Sequence, residues 1–293
     1  MRDGKDVSVC LWEPFQNPVG ILCISHGMAE HIMRYNHIAE YLSMNGFVVI
    51  GADERAHGKT DEKTLGYSDG NIADLTVDDN AEVIKYVRNL YPDLKLVIFG
   101  HSYGSFLTQW FIERHGDLID GVILGGSAKM TGLIPFAGRM VANIGYAFKG
   151  AKKPATLLKK LTFDSYEKQL KYGSFISSIK TETDRYLSDP FCAFVCSYGF
   201  YKYFFKAFTK MYKKSALEAI DKNLPLFIIS GESDPVGSYT KSTDKLYEMY
   251  KKLGLADVTL KYYRGGVRHE YLNDISRKEA FDDILAFLHK ICG

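Results

Sequence analysis

Short apolar runs alternate with amphipathic segments along most of this chain. Residues 7–12, 20–24, 47–52, 94–99, 121–124, 224–230 and 258–263 are apolar runs of strand length. Between them, residues 38–44, 75–90, 105–115, 239–253 and 276–291 carry apolar side chains at a helical period. Phe281, Ile284, Leu285 and Leu288, for example, fall on one face of the last segment. Near-continuous apolar runs, rather than alternating ones, are what strands buried on both faces require. The pattern predicts an α/β protein with a mostly parallel sheet covered by helices on both sides.

One stretch breaks the alternation. Residues 128–222 contain no buried-strand run and are rich in lysine and aromatics, which predicts a helical cap inserted into a core made of residues 1–127 and 223–293. Ligands of open α/β sheets bind at the carboxyl ends of the strands, so the cap is expected to cover that end. The chain has 293 residues and a net charge of only +2. That total conceals an asymmetry, because residues 129–222 hold 17 Lys and Arg against 7 Asp and Glu, a net +10. Within this region Tyr201, Phe204, Phe205, Phe208 and Tyr212 share one helical face, and Lys202, Lys206, Lys210 and Lys213 another. This segment reads two ways: a cap helix docked on the core, or a lip that lines an acyl pocket or makes transient contact with an anionic lipid surface.

Other classes are disfavoured. The lysines come with no nucleic-acid-binding motif, so no nucleic-acid partner is expected. Five cysteines form no C-x-x-C pair, and an odd count suits a reducing compartment. Cys192 and Cys196, one helical turn apart, read as apolar packing rather than metal ligands. Charged residues crowd the first positions, and no run reaches the roughly 18 apolar residues of a membrane span. A cytoplasmic location is expected. No dinucleotide-binding glycine motif is present.

The chemistry centres on Gly100-His101-Ser102-Tyr103-Gly104, placed between a predicted strand and a predicted helix. Two glycines in G-x-S-x-G permit a turn tight enough to hold Ser102 at its apex with an exposed Oγ. A serine hydroxyl needs a base in contact and a group that orients the base. Asp234, after the strand at 224–230, and His269, after the strand at 258–263, follow in the order Ser, Asp, His. Pro235 fixes the loop around Asp234; Glu232 and Asp244 are the alternative orienters. The tetrahedral intermediate needs two amide donors. Tyr103 N–H, at the start of the helix, is one, and Met28 N–H, in the loop after the second run, is the other. His26 and His31 lack the spacing of a metal site. Glu30 and Arg34 are four residues apart and can pair on a helix surface.

Taken together, His26-Gly27-Met28-Ala29-Glu30-His31 with Arg34-Tyr35, residues 53–58, residues 100–104, Asp234-Pro235-Val236-Gly237 and Arg268-His269-Glu270 resemble the monoacylglycerol lipase and lysophospholipase group of α/β hydrolases, also labelled serine aminopeptidase-like. The resemblance spans nearly the whole catalytic core and is poor in the cap. It implies an eight-stranded sheet with a helical cap, no cofactor, a triad matching Ser102, Asp234 and His269, and oxyanion donors matching Met28 and Tyr103. It also implies that Glu30 and Arg34 bind the polar head of a glyceryl ester. Ala29 and Ala56 stand where the family usually has glycine, and Met28 where a smaller residue is common. The expected activity is hydrolysis of a small acyl ester, such as a monoacylglycerol or lysophospholipid, through an acyl-enzyme. The alternatives are an aminopeptidase or amidase using the same triad, with Glu182, Asp184 or Asp189 holding a substrate ammonium, and a non-catalytic ligand-binding homologue.

Overall fold

The computed structural model describes residues 1–170 and 173–293. Its strands are β1 (Val9–Trp12), β2 (Gly20–Ser25), β3 (Phe47–Ala52), β4 (Leu96–His101), β5 (Gly121–Gly125), β6 (Leu226–Gly231) and β7 (Val258–Tyr263). They form one sheet in the order β1-β3-β2-β4-β5-β6-β7. All neighbours are parallel except β1, which pairs antiparallel with β3. Every residue of β2, β3, β4, β5 and β6 is buried, as the unbroken apolar runs require.

Successive side chains point to opposite faces and feed two separate cores. Ile21, Cys23, Ile50, Ile98 and Ile228 pack under helices α2 (Ile72–Leu90), α3 (Tyr103–His115) and α10 (Lys241–Leu253). Leu22, Ile24, Val49, Val97, Phe99 and Ile229 pack under α1 (Asn36–Met44) and α11 (Arg277–Cys292).

Seven strands are present among the described residues, not the expected eight. Residues 1–8 form no strand: Ser8 O accepts from Asp53 N–H, but the bonds before it are local or go to a side chain. Gly4 N–H donates to Met1 O, the Met1 ammonium to Lys5 O, and Ser8 N–H to Thr60 Oγ1.

Between β5 and β6 the described chain carries only helices and one isolated bridge: α4 (Leu133–Lys149), α5 (Thr156–Leu161), α6 (Phe163–Gln169), α7 (Lys180–Ser188), α8 (Tyr198–Ala207) and α9 (Lys214–Glu218). The aromatic stripe at Tyr201, Phe204, Phe205 and Phe208 is buried. Phe204 meets Tyr103, and Phe208 meets Phe106, both on α3. Lys210 pairs with Asp74 of α2. This stripe is therefore a docking face, and the lip reading does not apply to it. The larger exposed apolar surface lies on α4, where Leu133, Ile134, Phe136, Met140, Ile144 and Phe148 are all exposed.

The sheet order reverses direction at β2, with β3 on one side and β4 on the other. The loops after β2 and β4 therefore diverge and leave a crevice between them, the position at which open α/β sheets bind ligands.

Candidate active site

Ser102 sits between β4 and α3 with φ 53° and ψ −117°. This backbone is held by its surroundings. Ser102 N–H donates to Gly125 O, and Ser102 O accepts from Ser105 and Phe106. Gly104 has to be glycine, since a Cβ there would lie 2.0 Å from Ser25 O. The absence of that side chain lets the α3 N-terminus press against the loop after β2.

His269 Nε2 is 2.7 Å from Ser102 Oγ, and His269 Nδ1 is 2.9 Å from Asp234 Oδ2. With Nδ1–H donating to the carboxylate, Nε2 is free to accept the serine proton. Asp234 is fully buried. Its Oδ1 accepts from Val236 N–H at 2.8 Å and its Oδ2 from Ser230 Oγ at 3.3 Å, so its orientation is fixed. Burial alone would lower the His269 pKa, but the carboxylates of Asp234, Glu270 and Glu30 outweigh it and hold the imidazole above its ordinary 6.5. The alternative orienters are elsewhere: Glu232 accepts from Gly266 N–H, and Asp244 from Tyr262 OH.

Tyr103 opens α3, and the first amides of a helix have no acceptor inside it. In the facing loop the Gly27 amide is taken by Glu30 Oε1 at 2.6 Å, so the next amide, Met28, is the available donor. Ala29 adopts φ 56° and Ala56 φ 68°, the left-handed region. That conformation is the reason glycine is favoured at both positions.

Glu30 and Arg34 are more engaged than surface pairing predicts. Glu30 Oε1 also accepts from Tyr35 OH, and Oε2 accepts from Arg34 at 2.7 Å. Arg34 additionally makes a two-pronged contact with Glu270, at 2.7 and 2.6 Å. The Glu270 partnership was not foreseen, and the charge sequence Arg268-His269-Glu270 is its only trace in the chain.

Also unforeseen is a strap, residues 174–178, that fastens the insertion to the histidine loop. His269 N–H donates to Phe175 O and Glu270 N–H to Ile176 O. Ser178 N–H and Oγ donate to Asp274, and Ser177 Oγ to Asn273 O. The Phe175 ring lies 5.9 Å from the His269 ring and lines a cavity of about 580 Å³. Ala29, Phe163, Ile176, Tyr186 and Phe194 form an apolar wall of that lining, and Lys159, Asp164, Glu167, Lys180 and Asp184 add a charged one; Phe175 is the side chain that joins the cavity to the His269 ring.

His26 is buried, with Nδ1 on Gly27 O and Nε2 accepting from Glu54 N–H, and it has no ligand role. Donor atoms of His31, Asp189 and Cys192 lie within 4.8 Å of one another, the only such group among the described residues. His31 and Asp189 are spent on each other at 2.9 Å, and burial keeps the Cys192 thiol protonated.

Residues 16–276 match the model of the family described as serine aminopeptidase, S33. Monoglyceride lipase of Homo sapiens is 26% identical over 288 residues, covering 94% of this chain and 84% of that one. Monoacylglycerol lipase of Mycolicibacterium smegmatis is 28% identical over 127 residues, 43% of this chain and 44% of the relative. A highly thermostable carboxyl esterase from Bacillus coagulans, solved in complex with glycerol, is similar at TM-score 0.88 and 28% identity over 99% of this chain and 96% of that one.

Proposed function

The chain belongs to the serine aminopeptidase S33 family and is an α/β-fold serine hydrolase of its monoacylglycerol lipase-like branch; we propose that Ser102 is its nucleophile, His269 its base and Asp234 the group that orients the base. The observation that carries this reading is the continuous chain Ser102 Oγ, His269, Asp234 at 2.7 and 2.9 Å. Ser102 attacks an ester carbonyl as His269 takes its proton. The amides of Met28 and Tyr103 receive the oxyanion. His269 then protonates the leaving alcohol, and afterwards activates the water that frees the acid. The substrate is a small acyl ester. The acyl chain runs along the apolar wall of the cavity at Phe175 and Phe194, whose volume is in the range of ordinary small-molecule sites. Glycerol esters are the first choice, since named relatives are monoglyceride lipases and one esterase was solved with glycerol.

The amidase reading gains nothing from the site. Glu182 is paired with Arg185 and Arg277, Asp184 with Lys180, and Asp189 with His31. A substrate ammonium would have to displace one of these partners.

We infer that contact with a lipid surface runs through α4. No helix among the described residues is long and apolar enough to cross a membrane. The exposed large side chains of α4 instead suit a helix lying on an interface, with Lys149, Lys152 and Lys153 exposed beside them.

Ser102→Ala tests the central assignment. It is expected to abolish turnover of p-nitrophenyl esters and monoacylglycerols, and labelling by a fluorophosphonate, with unfolding unchanged. Retained turnover or labelling would overturn the assignment.

A further inference from the structure

The loop that carries the Met28 amide and the loop that carries His269 come from opposite halves of the sequence. They are joined by one buried chain of charge. Gly27 N–H donates to Glu30 Oε1 at 2.6 Å; Glu30 Oε2 accepts from Arg34 Nη1; Arg34 Nη1 and Nη2 donate to the two oxygens of Glu270. Asn273 Nδ2 donates to Glu270 Oε2 at 3.0 Å, and the Tyr186 ring of α7 lies 4.9 Å from the guanidinium. Side-chain exposure is only 5% for Glu30, 12% for Arg34 and 7% for Glu270. A substrate hydroxyl would have to compete with these bonds, since every carboxylate oxygen and both Nη atoms already take part in one.

We propose that Glu30, Arg34 and Glu270 are a positioning clamp, which fixes the oxyanion turn relative to the base loop, and are not contacts to the substrate head group. A planar, bidentate guanidinium fixes distance and angle together, which a point charge cannot. The pull on Gly27 N–H sets the direction of the next amide, Met28, and Gly27 itself touches the nucleophile's neighbourhood: a Cβ there would be 3.4 Å from Ser102 Cβ. The clamp carries one net negative charge and faces His269. The other groups around His269 are Asp234 from the β6 loop, Ser102 and the neutral His101 from the β4 turn, Arg268 on its own loop, and Tyr166 and Phe175 from the insertion. Glu30 and Glu270 favour the imidazolium, and Arg34 opposes it.

The clamp rests on the assignment of Ser102, His269 and Asp234, and its test is separable from that one. The variants are Glu270→Gln, Arg34→Lys and Arg34→Gln, assayed from pH 5 to 9 with p-nitrophenyl butyrate, which has no hydroxyl head group, and with a monoacylglycerol. Glu270→Gln is expected to move the acid limb of kcat/KM down by about half a pH unit with both substrates, and Arg34→Gln to move it up by about as much. Arg34→Lys keeps the charge but loses the fork; it leaves the limb in place and lowers kcat about tenfold on both substrates with little change in KM. Arg34→Gln leaves two carboxylates without their cation; should it fail to fold, Glu270→Gln and Arg34→Lys still decide. Limbs and kcat like the wild type in folded Glu270→Gln and Arg34→Lys would overturn the clamp. So would losses confined to the monoacylglycerol and expressed in KM, which would make these residues head-group contacts. If Ser102→Ala stays active, the triad assignment falls; if it is inert while the clamp variants behave as wild type, the clamp alone falls.

Discussion

Single residues show what strain this chain tolerates. Ser102 is held at positive φ by Gly125 O on one side and the first turn of α3 on the other, and both glycines of its pentapeptide signal that strain in the sequence. Ala56 is held there without such a signal. An L-residue in the left-handed region costs roughly 1–2 kcal/mol. Replacing alanine by glycine returns up to about 1 kcal/mol of that through the freer unfolded chain. Ala56→Gly is therefore expected to raise stability by about 0.5 kcal/mol, read as a higher urea midpoint; a lower midpoint would mean that the buried methyl outweighs the strain. Ser102, Asp234 and His269 could be picked from the sequence because each follows an apolar run and sits among turn residues. The Arg34–Glu270 contact could not, because its partners are 236 residues apart and neither stands in a recognisable turn.

Elements were legible where burial is complete. The strands β2 to β6 read directly, since a strand covered on both faces leaves little choice of residue. Their ends moved by at most two residues, and those of β3 not at all. The strap at 174–178 was not legible, because its bonds to the histidine loop use backbone and small hydroxyls that carry no pattern. The exit of the insertion is tied down by another unpatterned contact. Tyr212, at φ 64°, donates its OH to Gln109 of α3 and its N–H to Glu113, while Met130 N–H, at the entry, donates to the Tyr212 hydroxyl. Burial pushes the Glu113 carboxyl up to about 8. A folded-state pKa above the unfolded value near 4.5 means the native protein holds a proton that the unfolded chain has released between pH 4.5 and 8. Stability from this group thus falls as pH rises through that window. Glu113→Gln removes the dependence, and its advantage over the wild type should grow by more than about 1 kcal/mol between pH 5 and 8, measured by urea unfolding at each pH. Parallel curves would place the proton elsewhere.

At the scale of the molecule, the charge asymmetry was legible and the surface that uses it was not. Two helices of the insertion have apolar stripes, and pattern alone cannot say which is buried. Packing decides it. On α4 the small residues Gly138, Ala142 and Gly145 face α8: a Cβ at Gly145 would lie 2.0 Å from the Tyr198 ring, and one at Gly138 2.8 Å from Phe205. The aromatics of α8 need that smooth face to approach closely, so the large residues of α4 are turned outward. Ile134, 81% exposed, and Phe148, 86% exposed, lie at its two ends with a row of apolar side chains between them. A contiguous patch of this kind marks a contact surface. On the proposed reading of that surface as a lipid contact, its setting within a segment of net +10 favours an anionic one. The protein is expected to co-sediment with phosphatidylglycerol vesicles at low salt, less with phosphatidylcholine, and less again as salt is raised. Ile134→Glu with Phe148→Glu should weaken vesicle binding at least about tenfold, since two apolar anchors are lost and two negative charges face the lipid. Neither side chain lines the cavity at Phe175, so turnover of a water-soluble p-nitrophenyl ester should stay unchanged while hydrolysis of vesicle-borne monoacylglycerol falls. Equal losses on both substrates would mean that α4 acts on the cavity, and no loss of sedimentation would mean that the patch serves something other than lipid.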